Sequence, residues 1–129
     1  MNPLRRAVAA AARTPVTVLA DGEWCRDFVF VADFPGFSGH FPGYPVVPAV
    51  VQVLTAQLVA EAGVGRPLRL LAVDNAKFLI QLRPDDVITV TCRPKKATAT
   101  ATVYEGTLSV AAGLAASFQM NLATEDAAC

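Results

Sequence analysis

Pro48-Ala49-Val50-Val51-Gln52-Val53-Leu54-Thr55-Ala56-Gln57-Leu58-Val59-Ala60-Glu61-Ala62-Gly63 is the stretch on which the fold turns. Ala49 to Ala62 holds no proline or glycine. Pro48 stands where a helix can begin, and Gly63 is placed to stop it, with Gly65 and Pro67 beyond. Its residues are apolar nearly all round, relieved by Gln52, Thr55, Gln57 and Glu61 alone. A helix of that kind is expected to be buried on most sides, not laid on a surface.

Outward from the helix the pattern changes to strands. Upstream, Val16 to Ala20 is a β-branched run closed by the hairpin signal Asp21-Gly22, and Trp24 to Ala32 follows as a second strand. Between them and the helix, Phe34 to Pro48 carries so much proline and glycine that a long stiff loop is expected. Downstream, Leu68 to Ile80, Val87 to Arg93, Ala97 to Tyr104 and Thr107 to Met120 read as strands. Pro84-Asp85-Asp86, Pro94-Lys95-Lys96 and Glu105-Gly106 read as the turns between them. One apolar helix among strands needs a concave sheet to wrap it, an α+β arrangement. The pattern alone fits more than one such fold.

The 129 residues suit one domain, able to bury roughly two-thirds of its unfolded surface. We expect an N-terminal extension over 1–14 (a short surface helix or loose end), a folded unit over 15–121 and a flexible tail over 122–129. Apolar residues make up 53% and charged residues 17%, a thin charged surface for so small a domain, which points to a large subunit interface. No apolar run reaches the roughly 18 residues of a membrane span. Formal charge is zero and the basic residues are scattered, so neither a nucleic-acid nor a membrane partner is expected. One histidine and three widely spaced cysteines give no metal-ligand spacing, and no metal is expected. Cys25 and Cys92 read as small core residues and Cys129 as a free thiol, consistent with a reducing cytoplasm.

The loop before the helix carries the chemistry: Gly39-His40-Phe41-Pro42-Gly43-Tyr44-Pro45-Val46-Val47-Pro48-Ala49-Val50. It resembles the motif of the 3-hydroxyacyl-acyl-carrier-protein dehydratases (FabA/FabZ-like), in which His-Phe-Pro-x-x-Pro-x-x-Pro-Gly-Val precedes a helix bearing a carboxylate. Val73-Asp74-Asn75-Ala76-Lys77-Phe78 and Arg83-Pro84-Asp85-Asp86 resemble the segment that follows the helix, so the likeness covers about Val16 to Met120. Gln52 is similar to a residue of the polyene-pathway subgroup. The resemblance implies the hot-dog fold, one central helix wrapped by a curved antiparallel sheet.

It also implies a reaction. Dehydrating a 3-hydroxyacyl thioester removes a proton alpha to the carbonyl and expels the 3-hydroxyl, so an acid–base group must reach both places. Charge gathering on the thioester oxygen needs donors already in position. By the resemblance His40 is the acid–base, the only one whose ordinary titration range lies near neutrality, and the N–H groups of Ala49 or Val50 are the oxyanion donors. Pro48 and Phe41 would shape the site, and Phe41, Tyr44, Phe78 and Phe118 are candidates to line an acyl tunnel. Ala49 replaces the family's glycine.

The departure is Leu54, fourteen residues after His40, where the family places its carboxylate. Glu61 lies two turns on, about 10 Å by helix rise. Gln57 is one turn on and would orient substrate or water, since an amide does not exchange protons near neutral pH. The expected activity is therefore 3-hydroxyacyl-thioester dehydration in fatty-acid or polyketide/polyene biosynthesis, a hydro-lyase with no cofactor beyond the phosphopantetheine of acyl carrier protein or CoA. Arg66, Arg69, Arg93, Lys95 and Lys96 are read as solvated charges before phosphate contacts. The alternative is a catalytically impaired hot-dog subunit that binds acyl thioesters, or completes a composite site with a related chain bearing the acid. A hot-dog acyl thioesterase is a third class, and it too normally needs a carboxylate. A homodimer or larger homo-oligomer is expected, with a hetero-oligomer as its counterpart in the second reading.

Overall fold

The computed structural model describes residues 2–37 and 45–124. Helix α1 (Pro3–Ala10) begins at Asn2, whose side chain accepts the Arg5 N–H at 2.7 Å. Strands β1 (Thr17–Val18) and β2 (Trp24–Phe28) form a hairpin, a 3-10 turn covers Pro35–Phe37, and helix α2 runs over Ala49–Val64. Strands β3 (Leu68–Phe78), β4 (Ile88–Ala97), β5 (Ala101–Val110) and β6 (Gly113–Thr124) complete the chain. All six strands join one antiparallel sheet in the order β1-β2-β4-β5-β6-β3, and α2 packs against five of them.

Alternation explains which side meets the helix. Ile88, Val90 and Cys92 on β4, Tyr104 and Leu108 on β5, and Ala116, Phe118, Met120 and Leu122 on β6 are buried at every second position. Against them lie Val51, Thr55, Ala56, Val59 and Ala60 of α2. This is the α+β arrangement expected from a single apolar helix.

Two glycines lie where the sequence suggested punctuation but serve packing instead. Gly63 stays inside α2, because the Trp24 ring rests on it; a Cβ there would come within 2.1 Å of that ring. The helix ends two residues later at Gly65, in the left-handed region (φ 86°), whose N–H reaches the Glu61 carbonyl at 2.8 Å. Glu105-Gly106 is not a turn but the middle of β5, where Gly106 pairs with Cys92 and with Phe118. A Cβ on Gly106 would lie 2.8 Å from Phe118 and 3.0 Å from the Cβ of Ala56, so glycine here lets helix and sheet close together. Pro94-Lys95-Lys96 likewise continues β4 through a bulge, and the reversal falls at Thr98–Thr100.

Most of the expected tail, residues 125–129, lies outside the described residues. Val8 of α1 is fully buried, and β6 carries its inward alternation through Leu122 to Thr124. Arg5 holds α1 to α2: its Nη1 and Nη2 donate to the two oxygens of Glu61 at 2.7 and 2.5 Å. Among the described residues no helix is long and apolar enough to cross a membrane.

Candidate functional site

The start of α2 is the focus of the site. Pro48 precedes the helix in extended conformation and has no side chain to cap it. The N–H groups of Val51 and Gln52 both reach the Pro48 carbonyl at 3.0 Å. Those of Ala49 and Val50 meet no acceptor among the described residues, as the first positions of a helix require. Two free donors at the positive end of a 16-residue helix suit an oxygen that gathers negative charge. Val47 is held nearby by an N–H bond to the Leu82 carbonyl at 2.7 Å, which keeps the approach to the helix in place.

Two cavities flank this helix start. One, of about 380 Å³, is walled by Val50, Val53, Leu54 and Gln57 of α2 and by Val73 and Phe78 of β3, with Ala49 at its head. Among the described residues no charged side chain lines it. The other, of about 320 Å³, lies between Val46–Pro48 and the end of β3, and takes in Ala49, Gln52, Phe78 and Gln81. Ala49 and Phe78 border both, so the helix start joins them.

Leu54 therefore stands in the wall of the apolar cavity, one turn above Val50. Gln57 reaches the same cavity, but its amide nitrogen is tied to the Leu68 carbonyl at 3.0 Å. Glu61 is engaged elsewhere, by Arg5 and by the Leu68 N–H at 3.1 Å, so it does not stand in for an acid at Leu54. Phe78 borders both cavities, while Phe118 lies buried behind it with ring centroids 6.4 Å apart. His40, Phe41 and Tyr44 lie outside the described residues.

Of β3, sequence reasoning singled out Phe78 alone and missed the rest of the wall. Leu70, Val73 and Ala76 wall the cavity, and the signal was there in a strand apolar on both sides over Leu70-Leu71-Ala72-Val73. It also left Gln52 without a place. That side chain is 5% exposed, donates from Nε2 to the Val47 carbonyl at 3.0 Å, and leaves Oε1 buried with no partner among the described residues.

Neither of the described cysteines, Cys25 and Cys92, lines these two cavities. Burial, then the charge of Glu23, pushes the Cys92 thiol up to about 12, and half-buried Cys25 is also raised, by burial and then by Asp27 and Glu23. Tyr104 is raised too, by burial first and by Cys92, against a lowering hydrogen bond from Thr102. Among the described residues no cluster of His, Cys, Asp and Glu is placed to hold a metal ion.

Comparison with known proteins bears on this geometry. The chain is 32% identical over 91 residues to the 3-hydroxyacyl-acyl-carrier-protein dehydratase FabZ of Caulobacter sp. (strain K31), covering 64% of this chain and 56% of that one. It is also 32% identical over 102 residues to the FabZ of Pelotomaculum thermopropionicum, covering 71% of each. The chain thus spans somewhat over half the length of relatives such as the Caulobacter protein. In fold it is similar to the dehydratase heterocomplex ApeI:P from Xenorhabdus doucetiae, with a TM-score of 0.74 at 12% identity over 98% of this chain and 93% of that one. A hypothetical thioesterase with coenzyme A from Streptococcus pneumoniae TIGR4 superimposes with a TM-score of 0.69 at 12% identity, over 94% and 93%. The fold is the hot-dog fold. The profile of the ApeI-like family, described as ApeI dehydratase, matches residues 19–113, and the chain belongs to that family.

Proposed function

We propose that this chain is a subunit of a 3-hydroxyacyl-thioester dehydratase of fatty-acid or polyene biosynthesis, acting on acyl groups carried by the phosphopantetheine of acyl carrier protein or CoA. The observation that supports it best is the pair of free N–H groups on Ala49 and Val50, set beside an apolar cavity directly after the His40 motif. The thioester oxygen would take those N–H groups, and the acyl chain would follow Val53, Leu54 and Phe78. His40 would take the proton alpha to the carbonyl as the double bond forms between C2 and C3. The C3–O bond would break as the hydroxyl takes a proton, from a carboxyl supplied by another chain or back from His40 itself, and leaves as water. The work is that of cytoplasmic fatty-acid enzymes, and we place the chain there.

Leu54 favours a second reading within the same class, in which the acid comes from another chain. The cavity that holds Leu54 opens beside edge strand β3, so a second hot-dog chain pairing there would close it. The structure of similar fold from Xenorhabdus doucetiae is described as a dehydratase heterocomplex, which supports this arrangement.

The test compares turnover of 3-hydroxyacyl-acyl carrier protein by the purified chain alone and mixed with a related hot-dog protein bearing the helix carboxylate. The isolated chain should be slower by on the order of 10²–10⁴, and His40→Ala should abolish the activity of the mixture. Full turnover by the mixture with His40→Ala would overturn the assignment of the base.

A further inference from the structure

We propose that Gln52 sets the specificity of the site for the 3-hydroxyl group, by accepting its hydrogen bond on Oε1; this rests on the acyl-thioester reading above. The side chain is 95% buried by its 5% exposure, and its orientation is settled by chemistry. Nε2 faces the Val47 carbonyl at 3.0 Å, and turning the amide over would set oxygen against oxygen. Oε1 must then point away from Val47, and no donor among the described residues meets it. A buried acceptor left bare calls for a donor that the described residues do not supply, and a bound ligand can bring one.

The surroundings say which donor fits. Gln52 is part of the wall of the cavity of about 320 Å³ that opens at the helix start, where the N–H groups of Ala49 and Val50 also meet no acceptor among the described residues. One end of the site thus offers donors and the other an acceptor, within one turn of helix. A group bearing a carbonyl oxygen and, two carbons further along, a hydroxyl matches that order. A 3-hydroxyacyl thioester has both. The enoyl product has lost the hydroxyl as water and a saturated acyl group never carried it, so neither can satisfy Oε1. Leu54 cannot perform this task from the other cavity, since it has no polar atom. Gln52 would therefore hold the substrate while giving the product no hydrogen bond to keep it.

Calorimetric titration of the intact chain with 3-hydroxyhexanoyl-pantetheine and with hexanoyl-pantetheine tests the assignment. The hydroxylated compound should bind about tenfold more tightly, the value of one neutral hydrogen bond. Gln52→Met should bring the two within about twofold by weakening the hydroxylated ligand alone. Gln52→Glu serves if the methionine variant does not fold. Its protonated carboxyl can donate to the Val47 carbonyl as Nε2 does while its other oxygen stays an acceptor, so it should retain the preference when measured below the pKa of that buried acid. Equal binding of the two compounds by the unaltered chain, or a preference that survives in Gln52→Met, overturns the role of Gln52 and leaves the acyl-thioester reading standing. Failure of both compounds to bind overturns both.

Discussion

The two edges of the sheet are built to different specifications. At one, β1 offers two residues, twists away through the hairpin at Gly22 (φ 76°), and carries Val18 at 70% exposure without further apolar neighbours than Leu19. At the other, β3 runs for eleven residues with Leu70, Leu71, Val73 and Phe78 all exposed. A short edge is safe from unwanted pairing, whereas a long apolar one is a template for another chain. The cavity that holds Leu54 lies behind the long edge and not the short one. The difference teaches that the edge better suited to pair with another chain is the one beside the cavity, where the chemistry is proposed.

The largest expected effect comes from restoring a carboxyl behind the long edge. Leu54→Glu should raise dehydratase turnover on the order of 10²–10⁴ over Leu54→Gln, which matches its size without the proton. The apolar cavity raises the pKa of such a group, which suits a proton donor near neutrality. The sign for stability follows. Below the ordinary glutamate pKa the side chain is neutral folded and unfolded, and the ionisation penalty is absent; it grows as pH rises. The melting temperature of Leu54→Glu relative to Leu54→Gln should accordingly fall between about pH 4 and pH 7. Equal turnover by the two folded variants would remove the missing carboxylate as the account of this site.

Next comes the edge itself. Sedimentation at micromolar concentration should show a dimer or larger assembly, and Val73→Arg on β3 should weaken it by about 10²–10³-fold, as loss of a central contact does. Val18→Arg on β1 should leave assembly unchanged and stability within about 0.5 kcal/mol. If both substitutions act alike, the contrast between the edges has no functional meaning. A smaller effect tests the seam between helix and sheet on which both edges depend. Gly106→Ala should cost about 1–3 kcal/mol by denaturant unfolding, because Phe118 and Ala56 must yield to the added methyl.

What was legible in the sequence was local. Proline, glycine and apolar runs set the element order, and the start of α2 at Ala49 was plain from Pro48 because chain geometry there depends on the neighbours in sequence. The His40 motif and the leucine fourteen residues after it are also read from spacing, which needs no knowledge of packing. Gly63 and Gly106 were misread because a glycine that ends an element and one that admits a neighbour look alike until Trp24 and Phe118 are in place. The cavity wall on β3 and the bare Oε1 of Gln52 were likewise decided only by tertiary structure. Burial and hydrogen-bond satisfaction are properties of groups brought together from distant parts of the chain, so spacing along the chain carries no record of them.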